Sequence, residues 1–246
     1  MKLSIVIPAH NEERSIETTV LGVVHAVKNP CEVIVVADHC SDRTEAIVTE
    51  IMKTYPQVQM VRNTKRKGSF SNSVITGLKA ATGDLVVPVM ADNCDDPKTI
   101  DRMAAAMQER NADVVCGSRY IKGGKKQGGP VLQNILSRVV CYSLKILTGV
   151  PTWDCANSYK MYRRSFLLTL PFDIADVGTE YSMALLFRAY KAGGKITEIP
   201  TSWKGRPMPI GDEWKILKRF PGYWYWYNRA IKRQQEAGNV TAPIDQ

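Results

Sequence analysis

The sequence is short of the side chains that build metal and redox centres. Only three of its 246 residues are histidine. Its six cysteines stand at positions 31, 40, 94, 116, 141 and 155 and form no CxxC pair, which argues against a zinc site. They are widely spaced and lie mostly in apolar runs, so reduced thiols of a cytosolic protein fit better than three disulfides. No GxGxxG follows the first apolar run and no GxxxxGK[ST] occurs anywhere, so the dinucleotide and P-loop fingerprints are both missing. Long apolar runs are missing too. The stretch Val131 to Val150 comes nearest but contains Arg138 and Lys145, whereas crossing a bilayer takes about 18 uncharged residues. Met1-Lys2 is soon followed by Pro8 and the charged Asn11-Glu12-Glu13-Arg14, which is not the pattern of a secretory leader. A soluble or peripheral protein is expected. Acids are also in deficit, 24 against 33 bases, for a formal net charge of +9. That balance favours an anionic partner: phosphate, nucleotide, nucleic acid or an acidic membrane surface.

What is present is an ordinary globular chain, 44% hydrophobic and 23% charged, long enough for one large domain. Short apolar runs at Leu3–Pro8, Glu32–Asp38, Val58–Arg62, Leu85–Met90 and Asp113–Cys116 read as strands. Between them, Glu12–Val27, Asp42–Tyr55, a segment ending near Ala81 and Ile100–Glu109 have helical spacing. Strict alternation predicts an α/β fold, a mostly parallel central sheet with helices on both faces. Beyond it, Lys122 to Gly129 is rich in glycine and lysine and reads as a flexible loop or lid. A helix from about Leu132 to Leu147, a strand at Tyr159–Arg163, a helix at Glu180–Ala192 and a strand at Ile196–Pro200 follow. Residues 214–235 hold seven aromatic and six basic residues and no acid. The expected organisation is a domain over 1–212, a basic-aromatic amphipathic segment over 213–235 and a polar tail over 236–246.

In an open parallel sheet, ligands bind beyond the carboxyl ends of the strands. Three acidic loops fall there: Pro8-Ala9-His10-Asn11-Glu12, Asp38-His39-Cys40-Ser41-Asp42, and Asp92 with Asp95 and Asp96. Such a cluster calls for hard divalent cations and ligand phosphates among it. Asp42 reads equally well as a helix cap, and Asp95-Asp96-Pro97 as a helix start. Asp38 and Asp92 each end a buried strand and favour function. The basic turn Lys65-Arg66-Lys67-Gly68-Ser69 either meets a diphosphate or is a solvated turn.

Together these residues resemble a known family. Val6-Ile7-Pro8-Ala9-His10-Asn11-Glu12 resembles the opening signature of family 2 glycosyltransferases of GT-A fold. Val35-Val36-Ala37-Asp38 with Ser41-Asp42-Arg43-Thr44 resembles their second signature, and Lys67-Gly68 with Asn72 the next. Gly117-Ser118-Arg119-Tyr120 and Lys122-Gly123-Gly124 are similar to the segment after the metal motif in dolichyl- and polyprenyl-phosphate sugar transferases. The resemblance implies inverting transfer from a nucleotide diphosphate sugar, with GDP-mannose in view. Pro8, Asn11, Glu12, Asp38, Lys67, Gly68 and Ala91 would hold the nucleotide. Asp92 matches the last carboxylate of the family's DxD metal motif, but Met90 stands at its first position. Either Asp95 or Asp96 would then supply the missing ligand for Mg2+ or Mn2+, or the metal binds weakly or is not needed.

The acceptor decides the chemistry. A lipid phosphate is ionised at pH 7 and needs cationic guides, whereas a hydroxyl needs a general base. Arg119, Lys122, Lys125, Lys126, Ser137 and Arg138 suit the first case. The resemblance assigns acceptor phosphate to Arg119 and Ser137, and Gln133 stands where relatives often carry arginine. Glu180 is the candidate base for a sugar or glycan hydroxyl, although a helix-start glutamate that complements the dipole is the slightly better reading. Arg206 is the candidate to reach the diphosphate. The segment Trp214 to Tyr227 suits an anionic membrane surface on the cytosolic side. A nucleic-acid partner is not expected, because the acidic strand-end loops would repel it. Three readings stay open: a lipid-phosphate glycosyltransferase, a glycan hydroxyl transferase, and a non-catalytic nucleotide-sugar or lipid-binding protein.

Overall fold

A computed structural model describes residues 1–65, 68–129, 131–173 and 180–205. Its frame is a seven-stranded sheet in the order β3-β2-β1-β4-β7-β5-β8. The strands are β1 (Leu3–Ala9), β2 (Cys31–Ala37), β3 (Val58–Arg62), β4 (Leu85–Pro88), β5 (Val114–Ser118), β7 (Lys160–Arg163) and β8 (Ile196–Pro200). All pair in parallel except β7, which runs antiparallel to both β4 and β5. All seven residues of β1 are buried, because helices cover both faces of the sheet and leave no polar side to alternate with.

The two-residue period of a strand divides the core in two. Leu3, Ile5 and Ile7 face one layer with Val20, Val48 and Met103 of helices α1 (Ile16–Ala26), α2 (Thr44–Thr54) and α4 (Thr99–Glu109). Val6, Ile34 and Val36 face the other, with Leu78, Leu144 and Leu185. Those residues belong to α3 (Phe70–Ala80), α5 (Val131–Thr148) and α7 (Tyr181–Lys191), and a short helix α6 (Arg164–Leu167) follows β7. This is the α/β arrangement the alternation predicts.

Three differences from the sequence reading bear on the site. Helix α1 starts at Ile16, not Glu12, because the Glu12 carbonyl accepts the Ser15 and Ile16 N–H groups in a turn that leads into it. Strand β4 ends at Pro88, two residues early, which frees Met90 and Ala91 for the loop that follows. The glycine- and lysine-rich segment is more than a loop. It contains β6 (Lys125–Gln127), paired in parallel with β9 (Ser202–Lys204) in a second small sheet. Gly123, Gly128 and Gly129 adopt φ of +89°, +73° and +72° and turn the chain on either side of it, a backbone region L side chains rarely enter. The expected segment at 213–235 lies outside the described residues.

Candidate active site

A cavity of about 420 Å³ opens beyond the ends of β1, β2 and β4, against the start of α3. Pro8, Glu12, Asp38 and Gly68, all singled out from sequence, line it. His10, His39, Ser69, Phe70, Ser73 and Met90 line it as well. Most of these are immediate neighbours of the motif residues; Ser73 comes from the next turn of α3. Asp38 is 4% exposed. Its Oδ1 accepts a 2.7 Å hydrogen bond from the Asn63 side-chain amide, which fixes the carboxylate from behind. The Asp38 carbonyl lies 2.5 Å from His10 Nδ1. His39 sits at φ +50°, and its Nε2 meets the Lys65 carbonyl at 2.9 Å.

Gly68 gives this approach room. A Cβ there would stand 3.0 Å from Asp38 Oδ1 and 3.1 Å from the His39 ring. Ser69 then caps α3 by accepting the Asn72 N–H. Helix N–H groups at that end favour an anion. Lys67 lies outside the described residues.

Asn11 braces the cavity and does not line it. It adopts φ +54°, and its side-chain oxygen accepts the Ser41 N–H at 2.8 Å. Asp42 latches the same two loops by accepting the Glu13 and Thr44 N–H groups and the Thr44 hydroxyl. Burial raises its pKa, and these hydrogen bonds outweigh that and hold it below the usual range. Thr44 in turn accepts the Glu12 N–H.

The carboxylates after β4 divide by role. The Asp92 carboxylate accepts the Cys94 N–H, and the Ala91 carbonyl accepts the Thr19 hydroxyl. Asp96 accepts the Lys98 N–H in a turn that starts α4, and its carbonyl accepts the Tyr159 hydroxyl. Asp95 is buried, and its Oδ1 has no hydrogen-bond partner. Burial, then the charge of Asp92, pushes its carboxyl up to about 7. Among the described residues no three His, Cys, Asp or Glu side chains converge as a metal site. The Asp92 charge acts on Asp95, and the unpartnered buried Asp95 oxygen is a donor that fits a hard divalent cation, so these two carboxylates are the ones that would hold it.

Beyond Asp95 lies a group of cations and aromatic rings. Asp95 forms an antiparallel bridge with Trp203, and β6–β9 pairing sets Lys126 beside Trp203. Lys126 Nζ is 5.4 Å from the Trp203 ring and 6.0 Å from that of Tyr120. The Arg138 guanidinium is 5.0 Å from the Tyr120 ring, and the Tyr120 hydroxyl donates to Ser137. Burial, then the nearby Arg119 charge, pushes the Lys126 ammonium down to about 8.

Arg119 itself is engaged. Its Nε and Nη2 each meet an Asp154 oxygen at 2.7 Å, and its backbone N–H meets the same carboxylate at 2.9 Å. Asp154 was not legible as a partner, lying 35 residues away. Lys122 and Lys125 are exposed. Glu180 enters α7, its carbonyl accepting the Met183 and Ala184 N–H groups. The Gln133 side chain and Arg206 lie outside the described residues.

The model of glycosyl transferase family 2 matches residues 4–170. The chain belongs to this family. The match covers the cavity, the carboxylate loop, Arg119 and Asp154. A dolichol-phosphate mannosyltransferase of Pyrococcus furiosus is 36% identical over 139 residues, 56% of this chain and 39% of that protein. The chain thus spans well under half of that relative. An undecaprenyl-phosphate mannosyltransferase of Micrococcus luteus is 27% identical over 212 residues, 85% of this chain and 86% of that one.

Among solved structures, glucosyl-3-phosphoglycerate synthase from Mycobacterium tuberculosis, in complex with Mn2+, UDP and phosphoglyceric acid, superposes with a TM-score of 0.66. It is 19% identical, and the match covers 89% of this chain and 75% of that one. At that identity the likeness shows the fold, which is that of the GT-A glycosyltransferases, as the family resemblance implied.

Proposed function

We propose that this family 2 chain moves a sugar, with mannose the first candidate, from a nucleotide diphosphate sugar to a polyprenyl or dolichyl phosphate. The observation that carries the reading is continuity. Met90 lines the strand-end cavity, Asp92 and Asp95 follow it on the same loop, and Asp95 is bridged to Trp203 in the cation–aromatic group. A donor in the cavity and an anion at Lys126 and Arg138 would lie on either side of the carboxylates. The names of the Pyrococcus and Micrococcus relatives support the lipid-phosphate acceptor. All six cysteines are free thiols, which supports work on the cytosolic side.

In this reading Pro8, Glu12 and Asp38 bind the nucleoside, and Gly68 with the α3 N-terminus faces the diphosphate. Lys126, Arg138 and Ser137 orient the acceptor phosphate, with Arg119 holding the strand end beneath them. One acceptor oxygen forms a bond to the anomeric carbon from the face opposite the leaving group. The bond from that carbon to the diphosphate breaks, and its electron pair leaves on the nucleoside diphosphate. The configuration inverts. A lipid phosphate is already ionised, so no general base is required, and Glu180 has no assigned step. Mg2+ or Mn2+ held by Asp92 and Asp95 would supply Lewis-acid stabilisation of the departing diphosphate.

The test is transfer from GDP-mannose, UDP-glucose and other nucleotide sugars to a water-soluble short-chain prenyl phosphate, read by mass spectrometry. A prenyl-phospho-sugar is expected. The nucleotide should also raise the melting temperature in a Mn2+-dependent way, and Asp95→Asn should remove that dependence. Product on a glycan hydroxyl with none on prenyl phosphate would overturn the acceptor. No product and no nucleotide-induced shift would overturn the transferase reading.

A further inference from the structure

Helix α5 is apolar on its buried face and on its outer face as well. Cys141 and Leu144 are buried in the core. Val131, Ile135, Val139 and Ile146 are 73%, 55%, 55% and 76% exposed. Successive helix residues turn by about 100°, so these four fall within an arc of roughly 80°, nearly opposite Cys141 and Leu144. Leu132 and Leu147, also exposed, widen the stripe. An amphipathic helix on a globular surface shows polar residues there, and a continuous exposed apolar patch marks a contact surface.

The charge around the stripe selects the partner. With Arg119 matched by Asp154, the segment from Tyr120 through Trp153 carries five further cations, Lys122, Lys125, Lys126, Arg138 and Lys145, and no acid. Arg138 and Lys145 are seven residues apart and flank one edge of the stripe. No helix among the described residues is long and apolar enough to cross a membrane. A second copy of the chain seated on this face would set these cations against their own like, at a cost to association. An anionic bilayer gives the cations phosphate partners and the stripe an acyl boundary.

We propose that the outer face of α5 lies in the interface of an anionic lipid bilayer, with Arg138 and Lys145 at the level of the headgroups. The inference rests on the lipid-phosphate acceptor reading for its purpose, since α5 also carries Ser137 and Arg138 and would bring them to the depth of a lipid phosphate. The docking itself is measured independently of catalysis.

The experiment is vesicle sedimentation of the full chain with phosphatidylcholine vesicles and with vesicles containing phosphatidylglycerol. The comparison is a triple variant, Ile135→Gln, Val139→Gln and Ile146→Gln. These side chains are exposed and glutamine is a good helix former, so its melting temperature and its nucleotide binding should match wild type. Wild type should bind the anionic vesicles, weakly at high salt, and the variant should bind at least about tenfold more weakly. Transfer to a water-soluble prenyl phosphate should be unchanged, while transfer to a vesicle-embedded acceptor falls.

Undiminished vesicle binding by the variant would overturn the proposal. So would a wild-type dimer in sedimentation equilibrium that the same three substitutions dissociate. Failure of transfer to every prenyl phosphate, with vesicle binding still dependent on the stripe, would instead refute the acceptor reading and leave the docking surface standing.

Discussion

Removing Asp154 should cost more stability than removing any surface charge of this chain. Exposed ion pairs are worth about 0–1 kcal/mol, whereas deleting one partner of a buried pair costs about 3–5 kcal/mol. Exposure decides between these classes, and the side chains of Arg119 and Asp154 are 9% and 0% exposed. Asp154 takes two guanidinium hydrogen bonds at 2.7 Å and one backbone N–H at 2.9 Å. Asp154→Asn keeps one acceptor but leaves Arg119 and half-buried Lys126 facing each other uncompensated. A loss of about 3 kcal/mol is expected, a large part of the about 5–15 kcal/mol that holds a domain together.

Arg119→Met should cost a similar amount, because it strands a buried carboxylate. The double variant Arg119→Met with Asp154→Leu should cost less than either single variant, a strong departure from additivity in the cycle. Urea denaturation at pH 7, in low and in high salt, reads all three. The buried pair should be nearly insensitive to salt. Single variants costing less than about 1 kcal/mol, or losses that vanish in high salt, would show that Arg119 is solvated and refute the reasoning.

Three further outcomes are expected. Glu32 accepts hydrogen bonds from Ser4, Thr82 and Lys2; burial raises its pKa, but these bonds outweigh it and hold it at about 2 against an ordinary 4.5. Its stabilisation is full above pH 4.5 and lost as pH falls toward 2, so Glu32→Gln should cost about 2–3 kcal/mol at pH 7 and almost nothing near pH 2 in urea titrations. The Lys126 ammonium, pushed down to about 8, loses its charge as pH rises through that value; KM for a prenyl phosphate should climb between pH 7 and 9, and Lys126→Gln should raise it about tenfold and flatten the profile. Gly68→Ala forces a Cβ to 3.0 Å from Asp38 Oδ1, and calorimetry should show nucleotide affinity reduced about tenfold with the melting temperature little changed.

The donor side was legible because its geometry is local. Pro8, Glu12 and Asp38 follow strands that announce themselves as apolar runs, and in a parallel sheet the residues after such runs converge on one edge. Even there the division of labour was hidden. Asp95 and Asp96 are adjacent carboxylates, yet one is buried with an orphan oxygen and the other starts a helix. Composition cannot distinguish them, because the difference lies in which way the turn directs each side chain. The acceptor side is assembled from distant parts. Asp154 reaches Arg119 across 35 residues, and Trp203 reaches Lys126 through strands of three residues each. Such strands are too short for alternation to register, and lysine is a poor strand former.

The Arg119–Asp154 pair also determines which charges remain for a ligand. A cation fully matched by a buried carboxylate contributes little net field, so Arg119 acts on the acceptor side chiefly by fixing the chain at the end of β5. Lys126 and Arg138 are different. Both rest against ring faces, and neither is in an ion pair among the described residues. A ring face holds a cation in place through its quadrupole without cancelling its charge. The group therefore keeps two positive charges positioned, and outside any ion pair among the described residues, beside the carboxylates that would hold a metal. An acceptor phosphate brings the opposite charge, and would raise the pKa of Lys126 back toward its ordinary range as it binds. Proton uptake on acceptor binding, growing as the buffer is taken from pH 7 to pH 9, is the thermodynamic counterpart of the pH-dependent KM, and calorimetry in buffers of different ionisation enthalpy measures it directly. Binding with no proton uptake would mean that Lys126 does not meet the anion and that Arg138 alone does.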